Sequence, residues 1–338
     1  MVIVMKTGAE EDTVQAVINK VSELGFTPHP IYGVEKTVVA VIGEKTQDKI
    51  DTLKTMQGVE RIVPILQPFK LAAREVQPTG TTVRVSDDTV VGGDEIIMMA
   101  GPCAIESLEQ YLAIGRYVKD SGGKVLRGGI YKPRTSPHDF QGLREDGIPI
   151  MRQVREEIGL PMVSEVLDPR DVELMYDVVD IFQIGTRNMQ NFSLLTECGK
   201  SQKPVVIKRG MSATLEDLLK AAEYVLVEDN DDVILCERGI RTFETQYRNT
   251  LDISAVPALK SMSHLPVIVD PSHAAGRPDL VPALCKAAIS AGADGLLVET
   301  HADPTDALVD GDQSLDAQQF RQMMQDLRPF ARAAGRKL

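Results

Sequence analysis

Ile96-Ile97-Met98-Met99-Ala100 decides the fold. Five apolar residues in a row, with no polar alternation, describe a strand covered on both faces, as in a parallel sheet flanked by helices. Comparable short runs follow at 124–129, 162–167, 181–184, 205–207, 233–236, 266–269 and 295–298. Amphipathic spacing predicts helices between them, at 108–120, 150–158, 169–179, 193–199, 215–227, 253–262 and 279–291, and a last one at 317–334. Eight strand–helix units within roughly 240 residues predict a closed (β/α)8 TIM barrel over 96–338, in preference to an open doubly wound sheet.

Ahead of the barrel the pattern changes. Residues 2–5, 28–32, 37–42 and 59–65 read as strands, and 13–24 and 45–56 as helices. That order, βαββαβ, predicts a small ferredoxin-like α+β domain over residues 1–70. Residues 71–95 read as a linker with a short β-hairpin, because Thr82-Val83-Arg84-Val85 and Thr89-Val90-Val91 flank Ser86-Asp87-Asp88.

Composition narrows the function classes. The 338 residues are 43% hydrophobic and 25% charged, ordinary for a globular protein. A net charge of -12 argues against nucleic acid as a partner, since phosphate-backbone affinity needs a basic surface. No apolar run approaches the ~20 residues of a membrane span. The N-terminus does not read as a signal peptide. Cys103, Cys198, Cys236 and Cys285 form no Cys-x-x-Cys pair, which fits a reducing, cytoplasmic setting.

In such barrels chemistry gathers where the strands end, at the C-terminal face. Polar residues here gather there too. Cys103 follows the first strand, His273 the seventh, and Glu299 ends the eighth. Closure makes these strands neighbours. Asp303, Asp306, Asp310 and Asp312 lie in the next loop, and any one of them could add an oxygen. Sulfur, nitrogen and oxygen donors together suit one divalent ion of the Mn2+, Fe2+, Co2+ or Zn2+ class better than Mg2+ or Ca2+.

The remaining strand ends are cationic. Arg127, Lys132, Arg134, Arg187, Lys208, Arg209 and Arg238 follow strands two, four, five and six. In Leu126-Arg127-Gly128-Gly129-Ile130-Tyr131-Lys132-Pro133-Arg134-Thr135-Ser136, three cations and two hydroxyls fall where a strand becomes a loop. This composition suits phosphate or carboxylate oxygens. Glu165 ends strand three among these cations. Ion pairing with Glu165 and Glu237 would absorb part of the charge; substrates carrying several negative charges account for it better.

At this point the residues carry a resemblance. Ala100-Gly101-Pro102-Cys103-Ala104-Ile105-Glu106-Ser107, the Lys132-Pro133-Arg134-Thr135 core, Gln183-Ile184-Gly185-Thr186-Arg187, Ile207-Lys208-Arg209-Gly210, Cys236-Glu237-Arg238-Gly239 and Asp270-Pro271-Ser272-His273 resemble the 3-deoxy-D-arabino-heptulosonate 7-phosphate (DAHP) synthases. The first 70 residues resemble the ferredoxin-like regulatory domain of one branch of that family. The resemblance implies condensation of phosphoenolpyruvate with erythrose 4-phosphate, the first step of the shikimate pathway to aromatic amino acids. It implies one divalent metal ion held by Cys103, His273, Glu299 and Asp310, and so singles out Asp310 among the four aspartates. It assigns Arg127, Lys132, Arg187, Lys208 and Arg238 to phosphoenolpyruvate, and Lys132, Pro133, Arg134 and Thr135 to erythrose 4-phosphate. Lys132, Glu165, Lys208 and His273 are the expected catalytic residues, with Glu165 and Lys208 handling water and protons at C2.

The nearest enzyme alternative is 3-deoxy-D-manno-octulosonate 8-phosphate synthase, which uses arabinose 5-phosphate. That family usually carries Lys-Ala-Asn-Arg-Ser where this chain has Lys-Pro-Arg-Thr-Ser, so Pro133 and Arg134 favour the four-carbon sugar. A metal- or phosphate-binding sensor is the non-enzyme alternative. In the resembling branch the N-terminal domain binds an aromatic amino acid between subunits and covers the active site. His29, Ile31 and Tyr32 occupy the corresponding strand region, and a homo-oligomer, a tetramer by resemblance, is implied.

Overall fold

The computed structural model describes residues 1–33, 36–43, 46–63, 67–134 and 136–338. They form two compact units, one of residues 1–81 with 261–264 and one of residues 82–260 with 265–338. Among the described residues no helix is long and apolar enough to cross a membrane.

The first unit contains β1 (Val2–Met5), α1 (Glu11–Glu23), β2 (Thr27–Tyr32), β3 (Thr37–Ile42), α2 (Gln47–Lys54) and β4 (Val59–Val63). The strands make one antiparallel sheet in the order β2-β3-β1-β4, the ferredoxin-like arrangement expected from the βαββαβ order. Ile3, Met5, Val39 and Val41 on one sheet face pack against Val14, Val17 and Val21 of α1 and Leu53 of α2. Alternation on the strands and helical spacing on α1 place these residues on facing surfaces. His29, Ile31 and Tyr32 lie on β2, at the sheet edge, and Tyr32 is exposed.

In the second unit a hairpin, β5 (Val83–Ser86) and β6 (Thr89–Val91), precedes the barrel. Its Val83 and Val91 pack into the barrel interior with Ile97, Met99, Val125 and Ile181, which keeps water from that core. The eight barrel strands are β7 (Ile97–Gly101), β8 (Val125–Arg127), β9 (Met162–Val166), β10 (Ile181–Ile184), β11 (Val205–Lys208), β12 (Val233–Glu237), β13 (Val267–Val269) and β14 (Gly295–Glu299). They pair in parallel in chain order, and β14 pairs back onto β7, closing the predicted barrel. Every residue of β7 is buried, because its two faces meet the barrel interior and the surrounding helices.

The helices that follow are α3 (Leu108–Asp120), α4 (Gly147–Ile158), α5 (Pro169–Met175), α6 (Phe192–Lys200), α7 (Leu215–Leu226), α8 (Ala255–Met262), α9 (Pro271–Ala275), α10 (Val281–Ser290) and α11 (Ala317–Ala333). α5 stops four residues earlier than its apolar spacing suggests, and Val178 and Val179 are buried without continuing it. α9 lies between the seventh strand and the helix predicted at 279–291, where apolar spacing predicts no helix. Pro271 opens it, the Asp270 carboxylate caps it by accepting from the His273 N–H, and Gly276 ends it in a left-handed conformation.

Candidate active site

Strand register brings the functional residues to one end of the barrel. Glu299, the last residue of β14, lies opposite Gly101, the last of β7. A Cβ at Gly101 would stand 2.1 Å from the Arg127 carbonyl oxygen, so only glycine lets these strand ends approach. Cys103 follows two residues later, buried. His273 is presented by α9. Asp310 arrives on the loop after β14, in a left-handed backbone with φ 52°.

One ligand-type atom from each of Cys103, His273, Glu299 and Asp310 lies within 4.8 Å of the others. The Cys103 thiol donates to Asp310 Oδ2 at 2.9 Å, and His273 Nε2 stands 3.3 Å from Glu299 Oε1. Burial pushes the Cys103 thiol well above its usual value, Glu299 adds to this, and Lys132 opposes it. Burial also lowers His273 against the pull of Asp270 and Glu299, which keeps a neutral, ligating imidazole. For Glu299 burial works against ionisation, but His273, Arg127 and Lys132 hold the carboxyl well below the usual range. The donors fit a divalent transition ion: a thiol, a neutral imidazole and carboxylates. Such an ion sits about 2.0–2.3 Å from its donors, so its ligands fall within about 4–5 Å of one another. Of the four candidate aspartates, Asp310 alone belongs to this group among the described residues.

Facing this quartet is a cavity of about 190 Å3, lined by Arg127, Lys132, Pro133, Arg134, Glu165, Arg187, Lys208, Arg238, His273 and Asp310. Arg127 Nη1 donates to Glu299 Oε1 at 2.6 Å. Lys132 Nζ is 3.8 Å from Asp310 Oδ2. Burial disfavours the Lys132 cation, yet Cys103, Glu165, Glu299 and Asp310 raise its pKa. Lys208 Nζ donates to Asp270 Oδ2 at 2.5 Å. The same carboxylate oxygen is 2.8 Å from His273 Nδ1, within ion-pair reach but outside hydrogen-bond geometry. Arg187 is exposed at the cavity rim.

Two buried guanidinium nitrogens have no hydrogen-bond partner among the described residues: Nε of Arg238 and Nη1 of Arg134. Arg134 otherwise donates from Nη2 to Asp139 at 3.1 Å. A buried donor without an acceptor is costly, and an anionic ligand would satisfy both. Thr135 lies outside the described residues, and His29, Ile31 and Tyr32 belong to the other unit.

Arg209 does not join this wall, contrary to the sequence reading. It donates to Glu237 at 2.8 Å and to Asp252 at 2.9 Å, and does not line the cavity. Adjacent residues at a strand end face opposite sides, so Lys208 points inward and Arg209 outward. Gln183, Asp139 and Arg248 line the cavity but were not anticipated. Gln183 had a signal, a lone amide in the apolar run Ile-Phe-Gln-Ile. Arg248, eleven residues beyond the end of β12, had none. Gln313 was also missed; its amide donates to Glu299 Oε2 and accepts from Arg248 at 2.8 Å.

Comparison with known proteins identifies the family. Residues 42–332 match the DAHP synthetase I family, and residues 1–67 the DAHP synthase ferredoxin-like domain. Phospho-2-dehydro-3-deoxyheptonate aldolase of Thermotoga maritima is 43% identical over 338 residues, the full length of both chains. A crystal structure of the T. maritima aldolase (DAHP synthase) superposes with a TM-score of 0.79, covering 99% of this chain and 98% of that one. A 2-dehydro-3-deoxyphosphooctonate aldolase of Syntrophotalea carbinolica is 32% identical over 265 residues, 73% of this chain and 94% of that one. With a family match spanning residues 42–332 and a full-length relative at 43% identity, the chain belongs to the DAHP synthetase I family.

Proposed function

We propose that this protein condenses phosphoenolpyruvate with erythrose 4-phosphate and water to give DAHP and phosphate. The observation that carries the reading is the Cys103–His273–Glu299–Asp310 quartet, of which His273 and Asp310 line the same cavity as Arg127, Lys132, Arg187, Lys208 and Arg238. Those five cations neutralise the phosphate and carboxylate of phosphoenolpyruvate and orient its C3. Lys132, Pro133, Arg134 and Thr135 receive the sugar phosphate, with the free Nη1 of Arg134 as a donor to it. Fixed in this way, C3 attacks the aldehyde carbon, water adds at C2, and the phosphate leaves.

A divalent ion bound by the quartet would supply Lewis-acid polarisation of the aldehyde oxygen and a lowered water pKa. Glu165, half-buried on the cavity, and Lys208, oriented by Asp270, handle protons at C2. Residues 1–70 bind an aromatic amino acid and transmit feedback inhibition, with His29, Ile31 and Tyr32 at the effector site.

The alternative substrate is arabinose 5-phosphate. Pro133 and Arg134, and a full-length match of 43% to the heptonate enzyme against 32% over 73% of the chain to the octonate one, favour erythrose 4-phosphate. Phosphate release measured with each aldose tests this. Turnover with erythrose 4-phosphate is expected, and faster turnover with arabinose 5-phosphate would overturn the substrate. Cys103→Ser should abolish metal-dependent turnover and leave the circular dichroism spectrum unchanged. Undiminished turnover in that variant would sink the ligand set.

A further inference from the structure

Asp310 reaches Cys103 from a loop that leaves the barrel near Thr300 and returns at Leu315. Its left-handed backbone is unfavourable for a residue with a side chain and persists only where the surroundings impose it. Glu106 supplies such a constraint. It lies three residues beyond Cys103, in the same turn, yet its Oε1 accepts from the Leu308 N–H at 2.9 Å, two residues before Asp310. Its Oε2 stands 3.6 Å from Nε2 of His301, at the start of the loop. That nitrogen is buried and has no hydrogen-bond partner among the described residues. His301 Nδ1 meets the Asp303 backbone oxygen at 2.6 Å, which anchors the imidazole to the same loop. Between Leu308 and Asp310, Val309 is buried against Cys103 and Ala104.

A single carboxylate therefore spans two segments roughly 200 positions apart, each of which delivers one donor of the quartet. We propose that Glu106 is a positioning residue that fastens the Asp310 loop to the Cys103 turn and so sets the affinity of the quartet for a divalent cation. This rests on reading Cys103, His273, Glu299 and Asp310 as metal ligands. The fastening is a hydrogen bond to a backbone N–H, so it needs an acceptor at the right reach rather than a negative charge. Residues that orient metal ligands from outside typically contribute 10–100-fold to affinity.

Titration of the metal-free, full-length protein with Co2+, followed by thiolate-to-cobalt absorption, tests the proposal. Wild type is expected to develop the band and Cys103→Ser to lose it. Glu106→Ala should keep the band but raise the Co2+ dissociation constant about ten-fold or more, with saturating Co2+ restoring turnover. Glu106→Gln keeps an acceptor for Leu308 and should bind within about two-fold of wild type. If the alanine variant fails to fold, Glu106→Asp, one methylene short of the Leu308 N–H, takes its place with the same weakening expected. Wild-type affinity in a folded alanine or aspartate variant overturns the proposal. So does a glutamine variant as weak as alanine, because charge would then be what matters. Absence of a Cys103-dependent band in wild type removes the metal reading itself, and this inference with it.

Discussion

Asp270 is fully buried and serves two donors: its carboxylate accepts from Lys208 Nζ and the His273 backbone N–H, and it also faces the His273 ring. Burial disfavours its charge, but His273 and Lys208 outweigh that and hold its pKa well below the usual carboxylate range. Asp270→Asn leaves Lys208 as a buried ammonium without its counter-ion. Removing one partner of a buried pair costs about 3–5 kcal/mol. Loss of a residue orienting a ligand imidazole lowers activity about 10–100-fold. Denaturant midpoints and kcat at saturating metal measure the two effects, and a variant with wild-type kcat would show that Asp270 orients nothing. In the sequence Asp270 stood only as the first residue of the Asp270-Pro271-Ser272-His273 motif, with no role of its own. Its hold on Lys208, 62 positions away, required the strands to be in place. Lys208 and Arg209 make the same point in reverse: two adjacent cations look equivalent in sequence, and only strand direction separates the one on the cavity from the one paired to Glu237 and Asp252.

At the scale of elements, register decides which side chains meet. Gln183 of β10 pairs with Glu165 of β9, so the residues just beyond β10 pass close to the Glu165 carboxylate. Gly185 is there, and a Cβ at that position would lie 1.8 Å from Glu165 Oε1. The displaced atom is the far end of a flexible side chain, so Gly185→Ala should alter stability by less than about 1 kcal/mol. It should nevertheless move the Glu165 carboxylate, and a displacement near 1 Å can lower turnover up to about 100-fold. Thermal midpoints and kcat together check this; a large loss of stability, or no loss of kcat, would contradict it. The barrel strands were legible because runs buried on both faces leave continuous apolar sequence. α9 was not, since five residues are too few to show a helical period, and its Asp270 cap and Gly276 stop become readable only with its position known.

For the molecule as a whole, the two units carry different predictions. His264 belongs to the first, where its ring meets Thr81 Oγ1 at 2.6 Å and the Leu71 carbonyl at 2.7 Å. Burial lowers its pKa to about 4. The unfolded chain takes up this proton near pH 6.5 and the folded chain not until about pH 4, so stability rises with pH across that window. The contribution of this group is complete above pH 6.5 and falls by about 3 kcal/mol as pH drops to 4. His264→Gln should flatten that part of the profile in urea unfolding, and an unchanged slope would rule the group out. Removing residues 1–70 should leave condensation in place and abolish inhibition by tyrosine or phenylalanine. Equal inhibition of full-length and truncated protein would place the effector site elsewhere.

By itself the sequence determined the strand–helix alternation, and with it the barrel and the small ferredoxin-like sheet, because apolar periodicity is a local property of the chain. It also determined that Cys103, His273 and Glu299 stand at strand ends, where any parallel barrel gathers its chemistry. Tertiary structure alone decided what depends on distance between remote segments. That includes Asp270 as the partner of Lys208, Arg209 turned away from the cavity, and Glu106 fastened to Leu308. Spacing along the chain carries no information on such pairs, because each is set by barrel closure and by loops whose paths no periodicity encodes.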